Sequence, residues 1–287
     1  MGTSDWKGWL SRLQPKACRK ALWAFAVAGP CFLLIVSGCA GTRTKTDAGG
    51  DELQAEIRRH DLILRPDGAG PFPAVIMLHG CSGLGGRDRM WAQRLREWRY
   101  LSLRVNSFAA RGFKQVCGGG KLDMADRVPD ALAALAFLRT LPDVDPRRIA
   151  LMGWSHGGGA TLSTLTAAPA DPSEGFRAAV AYYPGCRHVR GWQTRTPILL
   201  LLGGADDWTA AGPCQALVER ERRAGLDVAQ ATYPGARHGF DNPLLGPNPH
   251  RIAEALGGRG ATTQYDPAAA KESVRRVHGF LVTHLGN

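Results

Sequence analysis

The stretch Arg148-Ile149-Ala150-Leu151-Met152-Gly153-Trp154-Ser155-His156-Gly157-Gly158 decides how this chain is read. Arg148–Met152 is a short apolar run of strand length, and Gly158–Thr166 has the composition of a helix directly after it. A strand that turns at once into a helix brings backbone against backbone, so small residues must flank the turn. Gly153 and Gly157 stand two before and two after Ser155 and complete the pattern G-x-S-x-G of a nucleophile elbow. Such a turn presents the Ser155 hydroxyl beside the positive end of a helix, whose first N–H groups lack partners. As a bare pentapeptide the pattern recurs by chance, and a plain Gly/Ser turn is the alternative. Set between a strand and a helix, it singles out Ser155 as a candidate nucleophile.

Working outward, apolar runs predict strands over Ala74–Leu78, Leu101–Val105, Ala178–Tyr182, Ile198–Leu202 and Val228–Tyr233. Helical patterns alternate with them over Ala125–Leu141, Pro213–Ala224 and Ala268–His284. Such alternation predicts an α/β fold, a mostly parallel, doubly wound sheet with helices on both faces. In such sheets functional groups gather at the carboxyl ends of the strands. The chain has 287 residues, 44% of them hydrophobic, enough for a sizeable core. With no internal repeat and no second linker, residues 51–287 are expected to form one domain.

A serine hydroxyl needs a base, and a neutral imidazole needs an acid to orient it. After Ser155, Asp206 and Asp207 follow the Ile198–Leu202 strand and the turn Gly203-Gly204, and His238 follows the Val228–Tyr233 strand. That is the order serine, acid, histidine of the α/β-hydrolase arrangement. His188 precedes the acids, His250 lies in a proline-rich loop, and His278 and His284 fall within the last helix, so His238 is the preferred base. Asp206 is preferred as the acid, with Asp207 left to cap a helix or steady the turn. Oxyanion donors are expected from the backbone N–H of His156 and of Cys81, the latter in the loop His79-Gly80-Cys81-Ser82-Gly83. The His79 side chain is expected to hold that loop.

These motifs, with Asn106-Ser107-Phe108, Arg111-Gly112, Tyr183-Pro184-Gly185, His238-Gly239-Phe240 and Tyr265-Asp266-Pro267-Ala268-Ala269, make the chain resemble the dienelactone hydrolase family over residues 55–285. The resemblance implies an α/β-hydrolase fold and hydrolysis of a small ester or lactone, with no metal and no organic cofactor. It differs in two respects. The dienelactone hydrolase itself uses a cysteine nucleophile where this chain has Ser155. It also binds its substrate's carboxylate with arginines, one soon after the catalytic histidine, where this chain has Asp241-Asn242-Pro243. Arg111 is a candidate anion anchor, closure of its own loop being the alternative. Trp154 and Trp208 are candidates to line an apolar pocket, with packing as the alternative.

The N-terminus carries its own signal. Lys7, Arg12, Lys16, Arg19 and Lys20 against Asp5 precede an apolar stretch from Ala21 to Val36, interrupted at Gly29-Pro30. This is the order of an export signal, and the stretch is short for a membrane span. Val36-Ser37-Gly38-Cys39 resembles the lipobox of bacterial lipoproteins. That implies cleavage after residue 38, lipidation of Cys39, a periplasmic or cell-envelope location, and 39–50 as a flexible tether. Cleavage after Ala40 to give a soluble product, or retention as an uncleaved anchor, are the other readings.

The leader's five basic residues and one acid give it +4 of the total +11, leaving +7 on the rest. Those charges are scattered, as at Arg94, Arg96 and Arg99 or Arg220, Arg222 and Arg223, with no aromatic stripe between them, so nucleic acid is not an expected partner. Beyond Cys18, Cys31 and Cys39, four cysteines remain, an even number without the short spacings of a zinc site. Cys81 and Cys117 follow two neighbouring strands and Cys186 and Cys214 two others, so Cys81–Cys117 and Cys186–Cys214 are the expected disulfides, against four free thiols. The sequence thus reads as an exported serine hydrolase of small esters or lactones. An exopeptidase or thioesterase on the same residues, or a lipid-anchored binding protein without catalysis, are the rivals.

Overall fold

Because Val75 and Met77 point to one side of their strand and Ala74, Ile76 and Leu78 to the other, the chain must cover both faces of its sheet. In the computed structural model it does so. The structure describes residues 55–286 apart from 60, 61, 170, 188, 190, 192 and 193. The expectations for the leader 1–38, for lipidation at Cys39 and for the tether 39–50 lie outside the described residues.

The central sheet runs in the order β1-β3-β2-β4-β5-β6-β7, formed by β1 (Ile63–Leu64), β2 (Phe72–Leu78), β3 (Leu101–Val105), β4 (Val144–Trp154), β5 (Ala178–Tyr182), β6 (Ile198–Gly203) and β7 (Val228–Tyr233). Only β1 pairs antiparallel, with β3; the other pairings in this sheet are parallel. β2, β5 and β6 are buried at every position, which is why they read as continuous apolar runs.

One face packs Val75, Met77, Met152, Trp154, Val180 and Tyr182 against α1 (Gly86–Glu97) and the last helix, Pro267–Leu285. The opposite face packs Ile76, Leu78, Leu103 and Leu151 against α2 (Val128–Leu138), and Leu200 and Leu202 against α3 (His156–Ala167) and α4 (Ala211–Arg223). The Pro267–Leu285 helix is α5; Asp266 caps it, its Oδ1 accepting from Ala268 N and Ala269 N at 3.0 Å each.

The expected elements are present, with shifted ends. The Ala125–Leu141 pattern resolves into a 3-10 turn, Ala125–Arg127, and then α2, with Pro129 in its first turn. Additional elements include α1, edge strand β1, and a two-stranded pair of β8 (His250–Ile252) and β9 (Ala261–Thr263). The pair comes between His238 and α5, and Thr263 forms a bridge to His238. Both expected disulfides are formed, with Cα–Cα distances of 4.8 Å for Cys81–Cys117 and 5.1 Å for Cys186–Cys214.

Candidate active site

Ser155 sits between the end of β4 and the start of α3 with φ 52° and ψ −115°, a conformation that costs a non-glycine residue about 1–3 kcal/mol. The packing around it enforces the turn. A Cβ on Gly157 would lie 2.0 Å from the Leu78 carbonyl oxygen, and one on Gly153 2.2 Å from that of Gly157. Both neighbours are backbone and cannot swing aside, so both positions require glycine. The elbow leaves Ser155 only 8% exposed, at the floor of a cleft.

The loops after β6 and β7 bring the other two groups to it. His238 Nε2 lies 2.8 Å from Ser155 Oγ, and His238 Nδ1 lies 2.8 Å from Asp206 Oδ2. A carboxylate only accepts, so Nδ1 carries the proton and Nε2 offers its lone pair to the serine hydroxyl. Asp206 Oδ1 accepts the N–H groups of Trp208 and Thr209, each at 2.8 Å. Thr209 Oγ1 lies 3.0 Å from Asp206 Oδ2 and 3.1 Å from His238 Nδ1, a contact that sequence reading did not anticipate. Burial pulls the Asp206 carboxyl upward. The charge and hydrogen bond of His238, with the two N–H groups, outweigh burial and leave it below the ordinary carboxylate range.

Asp207 plays another part. Its carboxylate accepts from Thr262 N at 2.7 Å and Thr262 Oγ1 at 2.9 Å, tying the loop after β6 to β9 rather than capping a helix.

The amides expected to receive an oxyanion flank the same floor. His156 opens α3, where backbone N–H groups have no partner within the helix. Cys81 lines the cleft beside Gly80 and is held twice, by its disulfide and by its carbonyl accepting from Val116 N at 2.8 Å. The His79 side chain is buried, donates from Nδ1 to the Gly80 carbonyl at 2.8 Å and stands edge-on to Phe108. It holds the loop, as expected.

The cleft has a volume of about 510 Å³, and its wall includes Ser155, His238, Trp208, Tyr183, Arg87 and Lys114. Trp208 is among the lining residues, its ring 4.8 Å from that of His238. Two expectations are corrected. Trp154 is fully buried on the far side of β4, where it contacts Trp91 and Tyr182 and donates to Asp241 Oδ2 at 2.9 Å. It does not line the cleft. Neither does Arg111, whose guanidinium forms two hydrogen bonds to buried Asp130, at 2.7 and 2.9 Å, and others to the carbonyls of Ser107 and Asp126. It closes its own loop instead of binding an anion.

The arginine that does line the cleft is Arg87, at the start of α1, which the sequence analysis did not single out. It lies over the Trp154 ring at 5.0 Å and bonds Asp88 at 3.2 Å. Beneath it, Asp241 accepts from Tyr183 OH at 2.5 Å and Trp91 Nε1 at 3.0 Å as well as from Trp154. The position scanned for an arginine after the histidine therefore holds a buried acid that organises three aromatic side chains. Among the described residues, no group of three or more His, Cys, Asp or Glu is arranged to hold a metal ion.

A parallel doubly wound sheet, with an elbow serine after β4 facing an acid after β6 and a histidine after β7, defines an α/β-hydrolase fold. The sequence pattern of the dienelactone hydrolase family matches residues 60–285, and the chain belongs to that family. A protein of Methylorubrum extorquens named "Putative carboxymethylenebutenolidase" is 24% identical over 257 residues, covering 79% of this chain and 85% of its own. Among solved structures, a dienelactone hydrolase-like promiscuous phosphotriesterase from metagenomic libraries superposes with a TM-score of 0.57 at 21% identity, covering 76% of this chain and 89% of its own. Esterase 2 of Thermogutta terrifontis, phosphorylated by paraoxon, gives 0.53 at 20%, covering 77% and 87%. At these identities the two structures establish the shared fold.

Proposed function

We propose that the protein is a serine hydrolase of small carboxylic esters or lactones. Ser155 is the nucleophile, His238 the base and Asp206 the acid that orients it. The observation that carries this reading is the unbroken pair of 2.8 Å contacts from Ser155 Oγ through the His238 ring to Asp206. His238 Nε2 takes the hydroxyl proton as Oγ bonds to the ester carbonyl carbon, and the amides of Cys81 and His156 receive the oxyanion. The C–O bond to the alcohol then breaks, and His238 returns the proton to the leaving oxygen. Water attacks the acyl-enzyme with His238 again as base and releases the acid. Family membership and the esterase among the structural neighbours support ester chemistry. Arg87 and Lys114 give the cleft wall two cations, which favours polar substrates over long alkyl esters.

The test is release of p-nitrophenol from its acetate and butyrate esters by the protein and its S155A variant. Turnover lowered by several orders of magnitude in the variant is the expected result. Equal rates in both overturn the reading. Paraoxon, which phosphorylates the Thermogutta esterase, should release one p-nitrophenol per active chain and add one diethylphosphoryl group at Ser155.

Export is the companion reading. The two disulfides suit an oxidising compartment, and the Val36–Cys39 lipobox adds a lipid anchor. Metabolic labelling with a fatty acid should mark the native chain and not its C39S variant.

A further inference from the structure

Arg127 is fully buried, yet it belongs neither to the Ser155–His238–Asp206 chain nor to the cleft wall. Its side chain reaches three loops that leave neighbouring strands. NH1 donates to the His79 carbonyl, after β2, at 2.8 Å. Nε donates to Ser107 Oγ, after β3, at 3.0 Å, and NH1 lies 3.2 Å from His156 Nδ1, after β4. The guanidinium lies 5.4 Å from the centre of the Phe108 ring. Asp130, the buried acid in the first turn of α2, is held instead by Arg111, and among the described residues no salt bridge is formed by Arg127.

A buried guanidinium without a carboxylate is expensive, and burial holds its pKa down to about 10. It remains charged at neutral pH. Stability alone would favour an apolar side chain here, so the contacts it makes identify its role. His79 precedes Cys81 by two residues, and its carbonyl fixes the course of that loop. His156 carries the other amide. Its Nε2–H donates to the Leu122 carbonyl at 3.0 Å, so Nδ1 is the acceptor for Arg127 and the neutral ring is gripped at both nitrogens.

We propose that Arg127 is a positioning residue of the oxyanion hole, one guanidinium that holds the Cys81 loop and the first residue of α3 at a fixed separation. The inference rests on the ester-hydrolase reading above. Groups of this kind act on the transition state and leave ground-state binding nearly untouched. In R127K the charge stays but the three-way fork is lost. The expected result is a kcat for p-nitrophenyl acetate lower by about 10²-fold, with KM within about threefold. Affinity for an alkyl trifluoromethyl ketone, which Ser155 converts to a tetrahedral oxyanion adduct, should fall by the same factor as kcat/KM.

Because R127K perturbs a buried site, H156A is measured beside it, with near-ultraviolet circular dichroism checking the fold of each. That variant keeps the amide and removes the ring, with its contacts to Arg127 and to the Leu122 carbonyl, and the double variant should lose less than the product of the two single losses. Folded variants that keep kcat within threefold, or that lose substrate and ketone affinity alike, overturn the proposal. If R127K does not fold, H156A decides by the same two criteria. A parent protein that neither turns over the ester nor depends on Ser155 overturns the ester-hydrolase reading instead.

Discussion

Ser155 holds its backbone at φ 52° because Gly153, Gly157 and the Leu78 carbonyl leave the turn no other course. That strain is separable from catalysis. Alanine at this position removes the hydroxyl and keeps the strained φ, whereas glycine removes the hydroxyl and relieves it. S155G should therefore be more stable than S155A by about 1 kcal/mol, read from urea midpoints at unchanged m-value. Equal stability would mean that the turn is not strained. Residue-level direction was partly legible beforehand. Ala150, Met152 and Trp154 lie in one cluster on a single face of β4, so strand parity already assigned Trp154 to the core. Its place beside Ser155 in sequence was the misleading cue. For Arg111 there was no comparable signal, since its partner Asp130 lies 19 residues on, across a loop.

Among the elements, the disulfides differ in exposure. Cys186 and Cys214 are buried at 6% and 0%, while Cys81 and Cys117 are partly exposed and line the cleft. A mild reductant should open Cys81–Cys117 first. It closes 36 residues, so the unfolded chain would gain freedom worth about 4 kcal/mol in the chain-entropy picture. Activity should fall together with the appearance of two free thiols per chain, counted by alkylation and mass spectrometry. Full activity with that bond open would mean that Val116 N and Arg127 hold the Cys81 loop unaided.

The strands of the sheet were legible because burial on both faces makes them uninterrupted apolar runs. α1 was not. It opens at Gly85-Gly86, carries four arginines, and turns only Asp88, Trp91, Ala92 and Leu95 inward, so its periodicity is faint. The β8–β9 pair is short and partly exposed, and its placement rests on contacts distant in sequence, Asp207 to Thr262 and His238 to Thr263. Ser155, Asp206 and His238 could be found because each follows a readable strand. Arg87 and Asp241 sit on or beside elements that were not readable.

For the molecule as a whole, one buried histidine and one partly buried histidine set its acid tolerance. His79 is held well below the ordinary histidine value of 6.5, chiefly by burial and next by the Arg127 charge, and the same causes lower His156. Below about pH 6.5 the unfolded chain takes up more protons at both positions than the folded protein does. Their contribution to stability is therefore complete above that pH and is lost as pH falls, at up to about 2.7 kcal/mol per pH unit for the pair. Asp206, held low when folded, adds a further loss in the carboxylate range. Denaturant midpoints at pH 7.5, 6.0 and 5.0 measure the slope, which H156N should roughly halve. A flat profile between pH 6.5 and 5 would contradict the lowered titration of both rings.

The Cys81–Cys117 bond also turns residues 81–117 into a covalent ring that contains α1 and β3. Lys114, exposed on that ring, offers trypsin a site next to the cleft. A cut there leaves two pieces that migrate as one band until reductant is added. β3 is paired between β1 and β2, so a nicked chain is expected to keep its cleft assembled. The expected outcome is a two-piece protein that keeps its activity until reductant separates the pieces.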